Sequence, residues 1–144
     1  GNLKSLPESI HKQLVQTMND TAGNDRMTLT LALSYSSRWE ILEAVKSISA
    51  DVAGNMLTTE QITADLFSAR LPSYPLPEPE LLIRTSGEYR ISNFLLWQIA
   101  YSELFFCKKF WPEFRKEDLY EAIYNFQQRE RRYGKTSDQI SKTK

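Results

Sequence analysis

"ELLIRTSGEYRISNFLLWQIAYSELFF", residues 80–106, decides how the chain reads. A short apolar run ends on Arg84. A Thr-Ser-Gly turn follows, and a second arginine, Arg90, stands six positions after the first. "ELLIRT" has the length and apolar character of a strand, and "SELFF" reads as another. Between them, "SNFLLWQIAY" is apolar nearly all round, which predicts a buried helix. Strand, helix and strand in that order predict a parallel pair.

The flanking sequence extends the pattern. "LPSYPLPEPE", just upstream, carries four prolines and is expected to be an extended link. "MTLTLALSY", Met27 to Tyr35, reads as a further strand. It is followed by the helix "SSRWEILEAVKSISADV", with a capping box of Ser37 and Glu40. Ile41, Leu42, Val45 and Ile48 are expected on its inner face. "SLPESIHKQLVQTMNDTAGN" reads as a helix opened by Ser5 and Glu8, with an apolar stripe of Leu6, Ile10, Leu14 and Met18. "TTEQITADLF" reads as a short capped helix. "RKEDLYEAIYNFQQRERRYG" reads as a long one that stops at Gly134, with Leu119, Ile123 and Phe126 on one face. The expected fold is α/β: a mostly parallel sheet of three strands flanked by helices. One domain is expected over residues 1–134, with a polar, disordered tail over 135–144. Apolar strands with little alternation suit a sheet covered on both faces.

Bulk properties narrow the function. The chain has 144 residues, 18 basic and 18 acidic side chains, and zero formal net charge. A general nucleic-acid coat would need a basic excess, so no nucleic-acid partner is expected. No apolar run reaches the ~20 residues that span a bilayer, and "GNLKSLPESI" has no signal-peptide core. One cysteine, Cys107, excludes an internal disulfide and reads as a buried thiol beside a strand. The lone histidine, His11, lacks the partners for a His-based triad or metal site and reads as a surface residue.

Ligands of parallel sheets bind at the carboxyl ends of strands. Arg84 and Thr85 stand at such an end. Arg90 and Ser92 stand where the next helix is expected to start, a place that favours anions. Arginine offers a planar fork suited to phosphate and stays charged at working pH. Two arginines, a hydroxyl and a helix start together describe a phosphate or diphosphate site. The competing reading is a salt bridge, for instance with Glu88. Glu103 is either a ligand for a divalent cation or a solvated carboxylate. Arg38, placed like Arg84 one strand–turn–helix unit earlier, is either a further anion ligand or a partner for Glu40 or Glu43.

The residues of this stretch are specific enough to name a family. "RTSGEYRISNFLLWQ" with the following "SE" resembles the C-terminal signature of the cis-prenyltransferases, most nearly the undecaprenyl diphosphate synthases. "WPEF", "FQQRERRYG" and "LALSYSSRWEILEAVKSI" continue the likeness, which runs from about Leu3 to Gly134. The resemblance implies that Arg84, Arg90, Ile91 and Ser92 hold the diphosphate of isopentenyl diphosphate. It implies Arg38, Arg132 and Gly134 as further contributors. It makes Glu103 a ligand of Mg2+, the implied cofactor, with Tyr89 beside it where bacterial members often carry histidine. It implies condensation of isopentenyl diphosphate with an allylic diphosphate, usually farnesyl diphosphate, into a long cis-polyprenyl carrier lipid for the cell wall. A homodimer is implied, in the cytoplasm or at the membrane surface, without a transmembrane segment. Met27 would begin the strand that floors the product tunnel.

The sequence also departs from the family pattern. No "D-G-N-G-R-W" segment, with its essential aspartate, occurs here, and "SYSSR" stands where "N-Y-G-G-R" is common. The chain therefore reads as the C-terminal part of such an enzyme, inactive alone. The alternatives are a non-catalytic subunit completing a partner's site and an unrelated phosphate-binding α/β module.

Overall fold

A computed structural model describes residues 1–129. Arg132, Gly134, the end of the expected C-terminal helix and the expected tail lie outside them. The chain divides into two compact units, Gly1–Leu76 and the remainder from Pro77.

The first unit is helical. α1 spans Glu8–Thr21, α2 Ser37–Ala53 and α3 Ala64–Arg70. The expected Ser5–Glu8 box is absent: the Ser5 hydroxyl donates to the Asn2 carbonyl at 2.7 Å, and Pro7 stands at the N-cap. α1 buries none of its residues fully; of the expected stripe Leu6 and Leu14 are half-buried, while Ile10 and Met18 are exposed. α2 turns Glu40, Ala44 and Ile48 inward, four residues apart, while the expected Leu42 and Val45 are exposed. The buried acid is satisfied. The Tyr35 hydroxyl donates to Glu40 Oε2, and the Ser73 amide donates to Oε1 at 2.8 Å. Its place in the first turn also suits the helix dipole. Arg70 ties α3 to α2 through Asp51, at 2.6 Å, and the Ser47 hydroxyl, at 3.0 Å. The expected third helix is divided. A single 3-10 turn covers Thr59–Gln61, and α3 starts afresh with Leu66 N–H donating to the Thr63 hydroxyl at 3.2 Å.

The expected strand at 27–35 does not form. Residues 27–33 have neither helix nor strand structure, and Met27, Leu29 and Leu31 are exposed. A strand exists only through its ladder, and among the described residues no other strand lies beside this one.

The second unit holds the sheet. β1, Leu81–Arg84, and β2, Glu103–Phe106, pair in parallel, with Leu81 opposite Glu103 and Arg84 opposite Phe106. The two strands match the sequence reading. Their burial does not, because all eight residues are only half-buried. α4, Lys116–Gln127, packs on β2 and buries Asp118 and Ala122, with Phe126 half-buried one further turn along. The expected Leu119 and Ile123 are more exposed than these.

The helix expected over "SNFLLWQIAY" is replaced by successive turns. Ser92, Asn93 and Leu95 have φ of 54°, 61° and 48°. Left-handed residues cannot continue a right-handed i→i−4 ladder. Gln98 and Ile99 are buried, but Phe94, Leu96 and Trp97 are exposed, so the apolar residues are covered on one part of the stretch only and not all round.

Candidate functional site

The carboxyl end of β1 is built first by backbone. β2 stops at Phe106, and the next residues are held to the loop after β1. Cys107 N–H donates to the Arg84 carbonyl at 2.7 Å, Ser86 N–H to the Lys109 carbonyl at 2.7 Å, and Gly87 N–H to the Cys107 carbonyl at 2.9 Å. Ser86 and Gly87 reverse the chain with φ of 74° and 65°. Gly87 is needed for that φ rather than for space, because a Cβ there would meet the Lys108 Cα at an ordinary 3.8 Å. Ser86, with a side chain, adopts the same region at a cost. Tyr89 closes over the end of β2, its ring 5.1 Å from that of Phe106. Cys107 is free beside the strand, but only half-buried rather than buried as expected.

Arg84 is half-buried at this end, and its guanidinium makes no hydrogen bond or ion pair among the described residues. A half-buried permanent cation without a protein counter-ion is chemically suited to an anion. Arg90 is different. It is largely exposed and pairs with Glu88, the alternative that the sequence had left open. Ile91 is half-buried, and Ser92 is exposed in a left-handed turn. With no helix beginning there, the anion-favouring helix start expected at Ser92 is absent.

Glu103 lies elsewhere. The parallel register puts it opposite Leu81, at the amino end of the sheet, whereas Arg84 is at the carboxyl end. Three ladder steps separate the two levels, roughly 10 Å along the strands. Glu103 is half-buried and already paired: Arg129 Nη1 donates to its Oε2 at 2.7 Å, while Arg129 Nε donates to Asn125 Oδ1 at 3.0 Å. Tyr89 lies tilted against Phe106 at the other end, so the two expected metal ligands are not brought together. Among the described residues no three acidic, histidine or cysteine side chains stand together as a cation site. Glu103 fits as one oxygen ligand and no more.

Arg38 belongs to the first unit, exposed in the first turn of α2. Of its two expected partners, Glu43 pairs with Lys46 at 2.8 Å, and Glu40 accepts from Tyr35 and Ser73.

Three residues near these ends escaped the sequence reading. Lys109 and Asp118 form an ion pair of 2.6 Å. Asp118 also accepts the Arg115 amide at 2.8 Å, which caps the start of α4. The first-turn Asp in "RKED" was a legible cap signal; its link to Lys109, nine residues earlier, was not. Arg129, four residues after Asn125, is the third.

With this geometry in view, comparison with known proteins decides the family. The family profile described as "Putative undecaprenyl diphosphate synthase" matches residues 1–134. The chain belongs to the undecaprenyl diphosphate synthase family. An isoprenyl transferase of Chlorobaculum tepidum is 49% identical over 140 residues, 97% of this chain and 53% of its own length. A farnesyl-diphosphate-specific ditrans,polycis-undecaprenyl-diphosphate synthase of Acinetobacter baylyi is 44% identical over 144 residues, all of this chain and 58% of its own. Among solved structures, lavandulyl diphosphate synthase from Lavandula x intermedia, in complex with dimethylallyl diphosphate, superposes with a TM-score of 0.89 at 34% identity. It covers 94% of this chain and 58% of that one. A probable undecaprenyl diphosphate synthase from Campylobacter jejuni gives 0.77 at 30% identity, covering 94% and 61%. This chain thus spans little more than half the length of the undecaprenyl diphosphate synthase relatives it matches. Among the described residues, no helix is long and apolar enough to cross a membrane.

Proposed function

We propose that this chain carries the isopentenyl diphosphate side of a cis-prenyltransferase. In the intact enzyme an allylic diphosphate, farnesyl diphosphate by preference, gains isopentenyl units one at a time. Each condensation makes a cis double bond and releases diphosphate, and the product is a long polyprenyl diphosphate carrier lipid. The observation that carries the proposal is Arg84: a half-buried cation, without a counter-ion among the described residues, at the carboxyl end of a parallel strand. Family membership supplies the identity of the anion.

In this reading Arg84 binds the diphosphate. Arg90 joins it by leaving Glu88, and Ile91 and Ser92 line the loop. The Ser86–Gly87 turn sets the direction in which the loop leaves β1. Arg38, Arg132 and Gly134 belong to the same proposal as further contributors. Magnesium, when bound, would offset charge on a diphosphate; Glu103 is the proposed ligand, but it lies at the other end of the sheet from Arg84 and would first have to leave Arg129, and this chain's described residues supply no complete set. A homodimer working in the cytoplasm at the membrane surface suits a lipid product, and no nucleic acid is involved.

Isothermal titration tests the binding claim. The 144-residue chain is expected to bind isopentenyl diphosphate more tightly than inorganic phosphate. Equal affinity for the two would reduce the site to a generic phosphate binder. A second assay follows radiolabelled isopentenyl diphosphate with farnesyl diphosphate and magnesium. The chain alone is expected to give no condensation, and turnover would overturn the assignment of only one substrate's site to it.

A further inference from the structure

The loop that bears Arg84 and Arg90 is held by backbone to a segment that itself lies beyond the sheet. β2 ends at Phe106, so residues 107–109 have no ladder of their own. They nonetheless accept two of the loop's amides, Ser86 N–H at Lys109 and Gly87 N–H at Cys107. Their position therefore sets the position of the loop. The far end of that segment is held by the Lys109 side chain and, one residue on, by the Phe110 amide donating to Glu113 Oε2 at 3.1 Å. Lys109 Nζ lies 2.6 Å from Asp118 Oδ1, while Asp118 Oδ2 receives the Arg115 amide at 2.8 Å. Asp118 is buried in the first turn of α4, and α4 packs on β2. One carboxylate thus joins a rigid helix to the support of the anion loop.

We infer that Lys109 and Asp118 are positioning residues for the diphosphate site, a strut that transmits the placement of α4 through the Lys109 carbonyl to the Ser86–Gly87 turn. Neither residue touches the substrate. A site of this kind depends on being held within about half an ångström of its working geometry. The inference rests on the isopentenyl diphosphate reading above and deepens it.

The test is titration of the 144-residue chain with isopentenyl diphosphate. Lys109→Met and Asp118→Asn are each expected to weaken binding about tenfold. The double variant should be no weaker than either single one, because both remove the same link. Lys109→Arg should restore most of the affinity. Titrations run well below each variant's thermal midpoint separate this role from mere stabilisation, which would lower the midpoint and leave affinity intact. Arg84→Ala is the reference arm. If it weakens binding while the strut variants do not, the strut is wrong and the diphosphate reading stands. If Arg84→Ala has no effect, or the unaltered chain does not bind, both fall. Should Asp118→Asn fail to fold, Lys109→Met decides, since the lysine is half exposed and its loss leaves the Arg115 cap in place.

Discussion

The two ends of the small parallel sheet carry opposite charges in opposite states. At the carboxyl end Arg84 is a half-buried cation with no counter-ion among the described residues. At the amino end Glu103 is a half-buried anion already neutralised by Arg129. In the proposed reading an anion would meet Arg84 at the first end without breaking an ion pair of that residue, although Arg90 would have to leave Glu88. A cation at the second must compete with a guanidinium that Asn125 also orients. Binding competence therefore follows the pairing of a charge as much as its presence in a motif.

Four measurements sharpen or break this contrast. Arg84→Ala should have the largest effect, weakening isopentenyl diphosphate binding about 100-fold, because a charge-assisted and partly desolvated contact is lost. A change of less than about threefold would show that the cation at this end is structural. Arg90 should matter less, because it is exposed and must first leave Glu88. Arg90→Ala is expected to cost about tenfold in the same titration, and Glu88→Gln to improve binding about twofold by freeing Arg90. A loss on Glu88→Gln would mean that the acid orients the arginine instead.

At the amino end, Glu103→Gln should destabilise the chain by about 0.5–1 kcal/mol, since the pair is only partly shielded from water. Urea unfolding would measure it, and Glu103→Gln combined with Arg129→Met should cost less than the sum of the two. Additivity would mean that the 2.7 Å contact contributes nothing. The smallest effect concerns pH. The hydrogen bond from Lys109, then that from the Arg115 amide, holds the Asp118 carboxyl below its ordinary range. The hydrogen bond to Asp118 raises the Lys109 ammonium. A depressed acid stabilises above its unfolded pKa and loses that contribution as pH falls through the folded value. A raised base does so below its unfolded pKa and loses it as pH climbs through the folded one. The stability gap between the unaltered chain and Asp118→Asn should therefore be flat between about pH 5 and pH 9, and close below about pH 3.9. A gap that varies near neutrality would point to another group.

Much of the frame was legible. "ELLI" and "SELFF" became β1 and β2, and α1, α2 and α4 lie where helical spacing put them. "MTLTLALSY" had the same strand character as "ELLIRT", yet only the latter is a strand. The difference is a partner: Leu81–Arg84 has Glu103–Phe106 beside it, and the described residues place no strand beside 27–33. "SNFLLWQIAY" had helical composition, but three left-handed residues and burial limited chiefly to Gln98 and Ile99 leave it as turns. At the site, the two arginines were legible from residue type and spacing. The exchange of Arg90 with Glu88 was visible as an alternative. The separation of Glu103 from Arg84 was implicit, because Glu103 opens the second of two strands expected to be parallel; its pairing with Arg129 was not legible.

The sequence by itself determined which residues could bind: permanent cations after an apolar strand, a glycine where the chain must turn with positive φ, and a motif specific enough to name a family. Those properties belong to side-chain chemistry and local backbone sterics, which travel with the residues. Only the tertiary structure decided which of these charges are open and which are spoken for. Ion pairing depends on distances of a few ångströms between residues remote in sequence, such as Lys109 with Asp118 and Glu103 with Arg129. Those distances arise from how the chain's elements pack, which local pattern does not encode.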